Sequence, residues 1–209
     1  MPLIQKTIAF LLNTYFWKSI IRLTPRLYGY PKFKLENYFV IRKILRENPN
    51  DIFCFVGCDN HSVALIMQRK LYGIHWGHSG FLELGEDNEI YISHVRRKIR
   101  YDSLLYYLKE IDNLAVIKFH LSEDEKILAR QKIAKLKKSK VTYLVKDPLE
   151  KTGQYASPDT WKELDEFHFY CSEYQYYVFR GMNHPLFSYG RNRFSTDDLY
   201  KSGTIVFEG

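Results

Sequence analysis

Trp76-Gly77-His78-Ser79-Gly80-Phe81-Leu82-Glu83-Leu84 is followed by Gly85-Glu86-Asp87-Asn88 and then by Glu89-Ile90-Tyr91-Ile92-Ser93-His94-Val95. The middle four residues are turn formers. The last run is rich in β-branched and aromatic side chains, which suit a pleated, half-buried surface. Together they predict a β-hairpin and therefore an antiparallel sheet. Within the second strand His94 shares a face with Ile90 and Ile92, because side chains alternate across a strand. A connecting loop of three or five residues places His78 directly opposite His94, with Cβ atoms about 5 Å apart. A four-residue loop slips the register by one and sends the two imidazoles to opposite faces. The pattern permits a histidine pair on one face without forcing it.

Working outward towards the C-terminus, Phe169-Tyr170-Cys171-Ser172-Glu173-Tyr174-Gln175-Tyr176-Tyr177-Val178-Phe179-Arg180-Gly181 reads as a helix with a cysteine in its first turn. Arg180 and Gly181 are the expected stop, a cation in the last turn and then a glycine. A thiol among the orphan N–H groups of a helix start is pushed towards thiolate, below its ordinary pKa of about 8.5. The competing reading is a small buried apolar residue, the common fate of a free cysteine. Cys54 and Cys58 fall instead on Asp51-Ile52-Phe53-Cys54-Phe55-Val56-Gly57-Cys58, a strand and the turn after it.

A histidine at a strand start, a polar group on the next strand and a cysteine on a later helix resemble the permuted papain-like hydrolases of the YiiX/YebB type. These are relatives of the NlpC/P60 amidases and of the lecithin:retinol acyltransferases. The matching residues are Asp51-Ile52-Phe53, Trp76-Gly77-His78-Ser79-Gly80, Tyr170-Cys171-Ser172-Glu173 and Thr196-Asp197-Asp198-Leu199. The resemblance implies an α+β, circularly permuted papain-like (NlpC/P60) fold, with an antiparallel sheet packed against the helix carrying the cysteine. Residues 1–50 are then an N-terminal helical extension and 51–209 the catalytic domain. It also implies roles: Cys171 as nucleophile, His78 as base and later acid, and His94 as the third, orienting residue. Tyr143 corresponds to a tyrosine the family places on a strand, a candidate second oxyanion donor beside the Cys171 N–H. His94 departs from the glutamate frequent in the YiiX branch. An imidazole orients His78 but supplies no negative charge to stabilise an imidazolium.

The chain has 209 residues, enough for one well-buried domain. Its 45% hydrophobic and 26% charged content is that of an ordinary globular protein. Three cysteines form no disulfide framework, so a reducing, cytoplasmic setting is expected. The net charge of +7 comes with no nucleic-acid-binding signature, so nucleic acid is not expected as a partner. Cys54, Cys58 and His61 are too few, and wrongly spaced, for tetrahedral metal ligation. No dinucleotide or phosphate-loop fingerprint is present, and no cofactor is expected.

Residues 3–23 read as an amphipathic helix, too interrupted by Lys6, Lys18 and Arg22 to span a membrane and poor as a signal peptide. Such a helix packs on the domain or docks on a membrane surface. Leu35 to Glu47 and Tyr101 to Glu110 read as helices, and Leu114 to Phe119 as a buried strand. Ser122-x-x-Glu125 is a capping box opening a lysine-rich helix towards Lys140. Val141 to Leu144 is a further strand, Asp197 to Leu199 a short turn, and Gly203 to Phe207 a last strand. Three functions are compatible with these residues. The first is a cysteine amidase or peptidase on a peptide-like amide such as a cell-wall peptide; the others are a lipid acyl hydrolase or acyltransferase and a binding module keeping the fold. The presence of both His78 and Cys171 argues against the third, and the first is the expectation; the amphipathic N-terminal segment and the aromatic content favour the second.

Overall fold

The computed structural model describes residues 35–59, 66, 69, 70, 73, 75–95, 99–108, 111–143, 166–169, 171–182 and 195–209, with backbone alone for 140–143 and 166–169. The expectations for residues 3–23 and for His61 lie outside the described residues. The elements are α1 (Leu35–Glu47), β1 (Ile52–Cys58), β2 (His78–Leu84), β3 (Ile90–Val95), β4 (Ile99–Ser103) and α2 (Leu104–Tyr107). They continue as β5 (Asn113–Phe119), α3 (Glu123–Lys138), β6 (Lys140–Tyr143), β7 (Glu166–Phe169), α4 (Cys171–Phe179), α5 (Thr196–Lys201) and β8 (Thr204–Glu208).

Six strands form one antiparallel sheet in the order β4-β3-β2-β1-β5-β8, and β6 and β7 pair in parallel as a second, smaller sheet. β1 lies inside the large sheet, and every residue from Ile52 to Cys58 is buried. Each face of the sheet carries its own core. On one face Phe81, Ile117 and Phe119 meet Ile133 of α3 and Tyr174 and Phe179 of α4. On the other, Phe53, Phe55, Ile92 and Val116 meet Ile41 of α1 and Leu104 of α2. Burying one such large apolar side chain is worth about 1.5–3 kcal/mol, so both layers are strongly held. α1 joins the second core through Tyr38, Ile41 and Leu45.

Local chemistry sets the element ends. The β2–β3 turn closes through Gly85 N–H to Glu89 O (2.8 Å) and Asn88 N–H to Gly85 O (3.0 Å), with Asn88 at φ 63°. Asparagine tolerates that left-handed backbone better than most residues. Ser122 Oγ accepts from Glu125 N–H while the Glu125 carboxylate accepts from Ser122 N–H, the reciprocal box expected for α3. Gly181, at φ 81°, ends α4 as its composition required.

Three boundaries differ from expectation. Tyr101 to Glu110 is not one helix: Ile99–Ser103 is strand β4, and the helix is only Leu104–Tyr107. The alternation of Ile99, Tyr101 and Ser103 pairs with β3, and the Tyr101 ring stacks on Tyr91 at 4.7 Å. Cross-strand stacking of this kind outweighs helical propensity. Phe169 ends β7 instead of lying in the cysteine helix, which begins at Cys171 itself. The short turn at Asp197 is a helix, Thr196–Lys201, held by a capping box between Ser195 and Asp198.

Candidate active site

The hairpin register is Leu84↔Ile90 and Gly80↔His94. His78 and His94 therefore share a face, one of the two alternatives the pattern left open, but they are diagonal neighbours and not directly opposite. Pairing two residues further along than expected preserves the face, because the side-chain period is two. The residue opposite His94 is Gly80, and a Cβ there would lie 2.7 Å from Phe55 Cε1 and 2.8 Å from His94 Cβ. Glycine at that position leaves the room into which the two rings converge.

His78 Nε2 and His94 Nδ1 are 2.6 Å apart, and His94 Nε2 is 3.0 Å from Asp102 Oδ2. Arg100 flanks the same carboxylate, its Nε 3.0 Å from Oδ2 and a terminal nitrogen 3.1 Å from Oδ1. A hydrogen-bonded chain thus runs across β2, β3 and β4. His94 is fully buried, while the Asp102 side chain is 19% exposed. The Tyr107 and Phe55 rings wall His78, with centroids 5.8 and 6.0 Å from its own.

With Asp102 ionised and His94 neutral, the carboxylate only accepts, so His94 carries its proton on Nε2 and offers Nδ1 as acceptor. His78 must then donate from Nε2, which makes Nδ1 its basic nitrogen. Asp102 also supplies the negative charge that an imidazole in the third position cannot.

Cys171, the first residue of α4, is 8% exposed. α4 is bound to β2 and β3 by buried polar contacts: Gln175 with Ser79, and Tyr174 Oη with Ser93 Oγ at 2.8 Å. With its amide turned so that both ends find partners, Gln175 donates to Ser79 Oγ and to the Cys171 carbonyl and accepts from Gly80 N–H. Burial pushes the Cys171 thiol up from its ordinary value, against the pull of the Ser79 N–H, the Ser172 N–H and the Ser79 hydroxyl. This reverses the sequence expectation of a depressed value: a helix start does favour thiolate, but desolvation outweighs it here. Complete burial pushes Cys54 up much further, and burial also raises Cys58. Cys54 and Cys58 lie four residues apart on β1, about 13 Å at strand rise, too far to share a metal.

The structure thus joins His78 directly to His94 and brings Cys171 against Ser79, which leaves β2 on the opposite face from His78. Tyr143 ends β6 opposite Phe169, two residues before Cys171; its side chain lies outside the described part. Sequence reasoning missed Asp102, because it assigned the segment from Tyr101 onward to a helix. The usable signal was the alternation from Ile99 to Ser103, which puts Asp102 on the same face as His94.

Among the described residues no helix is long and apolar enough to cross a membrane. No family model matches the chain, and no curated protein matches it. Among solved structures, the chain is similar to the crystal structure of the metalloprotein YiiX from Escherichia coli O157:H7 (DUF1105), at 14% identity and a TM-score of 0.38. The likeness covers 64% of this chain and 64% of that one, just under two thirds of its length.

Proposed function

We propose that the protein is a cysteine hydrolase of permuted papain-like design that cleaves an amide bond through an acyl-enzyme. The observation that carries this reading is the hydrogen-bonded chain His78–His94–Asp102, which starts on β2, the strand that also meets Cys171 at Ser79. The order of parts, with both histidines ahead of the cysteine helix, fits the permuted arrangement.

In the proposed reaction the Cys171 thiol gives its proton to His78 Nδ1 as sulfur attacks the carbonyl carbon. The carbonyl electron pair moves to oxygen, where the Cys171 N–H at the helix start stabilises the oxyanion. Tyr143 is the candidate second donor. Collapse of this intermediate breaks the C–N bond, and His78 returns the proton to the leaving amine. Water, deprotonated by the same nitrogen, then attacks the thioester, releasing the acid and the thiol. A raised thiol pKa suits a thiol deprotonated during attack by a paired base, in place of a standing thiolate. The His94–Asp102 pair holds the ring in position and stabilises the imidazolium formed midway.

The test uses a p-nitrophenyl ester and a peptide p-nitroanilide, with acid quench and peptide mass mapping. The expected result is an acyl mass on the Cys171 peptide, absent in Cys171→Ser and formed roughly 100-fold or more slowly in His78→Ala. Turnover that survives Cys171→Ala would refute the proposal. An ester that acylates while every amide fails would shift the reading to the acyl hydrolase class.

A further inference from the structure

Residues 75 and 76, just ahead of β2, are tied to α5 by one carboxylate and one hydroxyl. Asp197 accepts from the His75 N–H through both oxygens, at 3.0 and 3.1 Å, and from the Trp76 N–H at 2.9 Å. Its Oδ2 also meets His75 Nδ1 at 3.0 Å. Thr196 donates its hydroxyl to the Trp76 carbonyl, and the Trp76 ring lies 5.2 Å from that of Tyr200 on the same helix. Backbone amides outside a ladder need another acceptor, and an ionised carboxylate is the strongest one available.

The clamp is itself anchored. Asp198, not Asp197, closes the capping box with Ser195, and fully buried Leu199 seats α5 in the core shared with α4. His78 needs such support. It begins β2 and pairs with Gly57 on β1, whereas the register with β3 starts only at Gly80. His94 fixes the Nε2 end of the His78 ring, but the direction in which that ring leaves the backbone depends on the residues before it.

Resting on the hydrolase reading above, we infer that Asp197, with Thr196, is a positioning residue that holds the backbone ahead of His78 and so aims its imidazole. It touches neither substrate nor thiol; it acts through residues 75 and 76. A misplacement on the order of 1 Å costs about 100-fold in a reaction that depends on alignment, so a partial loss of the clamp is expected to cost about tenfold.

The test compares Asp197→Ala, Asp197→Asn, Thr196→Val and His75→Ala by acylation kinetics and by the ¹⁵N signals of the His78 ring. Asp197→Ala should lower kcat about tenfold with KM little changed and should move the His78 signals. Asp197→Asn, whose amide oxygen still accepts from the two backbone N–H groups, should restore most of both. Thr196→Val should change both in the same direction by less, and it answers the question should Asp197→Ala not fold. His75→Ala, which leaves the backbone bonds intact, should stay close to wild type. Unmoved His78 signals in Asp197→Ala and Thr196→Val would overturn the inference, as would failure of Asp197→Asn to restore them. The ring signals need no turnover. Moved signals in a protein that never acylates Cys171 would sink the hydrolase reading and keep the clamp; unmoved signals in an acylating enzyme would sink the clamp alone.

Discussion

Asp102→Asn is the substitution that most directly probes the imidazole chain. Two hydrogen bonds and one ring separate the carboxylate from His78 Nε2, a distance on the order of 8 Å, where a unit charge at an effective dielectric of about 20 is worth about 2 kcal/mol. The Arg100 guanidinium, 3.0 Å from Asp102, cancels part of this at His78, leaving on the order of 1 kcal/mol. The hydrogen bond to His94 adds more: an asparagine amide nitrogen turned towards Nε2 would donate, reverse the His94 tautomer and set two donors facing each other across the 2.6 Å contact with His78. Loss of a hydrogen bond to a charged group costs about 1.5–3 kcal/mol. Together these come to about 2.5–4 kcal/mol and predict an acylation rate lower by roughly 60- to 700-fold, since about 1.4 kcal/mol is one decade. Stopped-flow release of p-nitrophenol gives that rate, and circular dichroism checks that the variant is folded. A folded Asp102→Asn acylating at the wild-type rate would refute the charge-and-tautomer reasoning and leave Asp102 a surface partner of Arg100.

Four further outcomes are expected. Gly80→Ala should destabilise the protein by about 1–3 kcal/mol in urea denaturation, because its Cβ meets Phe55, Ser93 O and His94 at 2.7–2.8 Å. Lys132→Met should cost about 1–2 kcal/mol by the same measurement, because Lys132 Nζ donates to the Val178 and Arg180 carbonyls at the end of α4, at 3.1 and 2.5 Å. Burial works to raise Asp51, but the bonds from Lys118 and Lys126 outweigh it and hold the carboxyl below its usual range. Its stabilisation is therefore present above the unfolded carboxyl pKa and lost as pH falls through the lower folded value, so Asp51→Asn should flatten the loss of Tm between about pH 4 and pH 2. As pH rises from neutral, iodoacetamide should label Cys171 before Cys54, whose thiol is held far higher by complete burial; labelling of Cys54 first, seen by peptide mapping, would contradict this.

What could be read from the sequence was set by local rules. The alternation around Ile90 and Ile92, the turn at Gly85 to Asn88, the Ser122 box and the Gly181 stop each depend on neighbours in the chain, and each stands where it was expected. The histidine pair was legible only as one of two alternatives, because both its face and its register depend on the hairpin pairing: Gly80 rather than His78 faces His94, a choice made by the whole sheet. Asp102 was hidden because β4 exists only through its pairing with β3. The state of the Cys171 thiol was misjudged for a related reason. A helix start is visible in sequence, whereas the degree of burial that outweighs it is a property of packing. The contact of Asp197 with residues 75 and 76 spans more than a hundred residues and leaves no local mark.

The placement of two cores on either side of one sheet bears on how the site fails when heated. His78 faces the Phe55 and Tyr107 side, while Ser79, next in sequence, faces α4 through Gln175. His78 and Ser79, the residue that meets Cys171, are neighbours on one strand, so the pleat of β2 sets their spacing. Local opening samples loosely held edges first and well-paired inner strands last. An opening that separates His78 from Ser79 must disrupt β2 itself. Reactivity should accordingly persist up to the melting transition and vanish with it, instead of fading ahead of it as it does in enzymes whose catalytic groups sit on opposing domains.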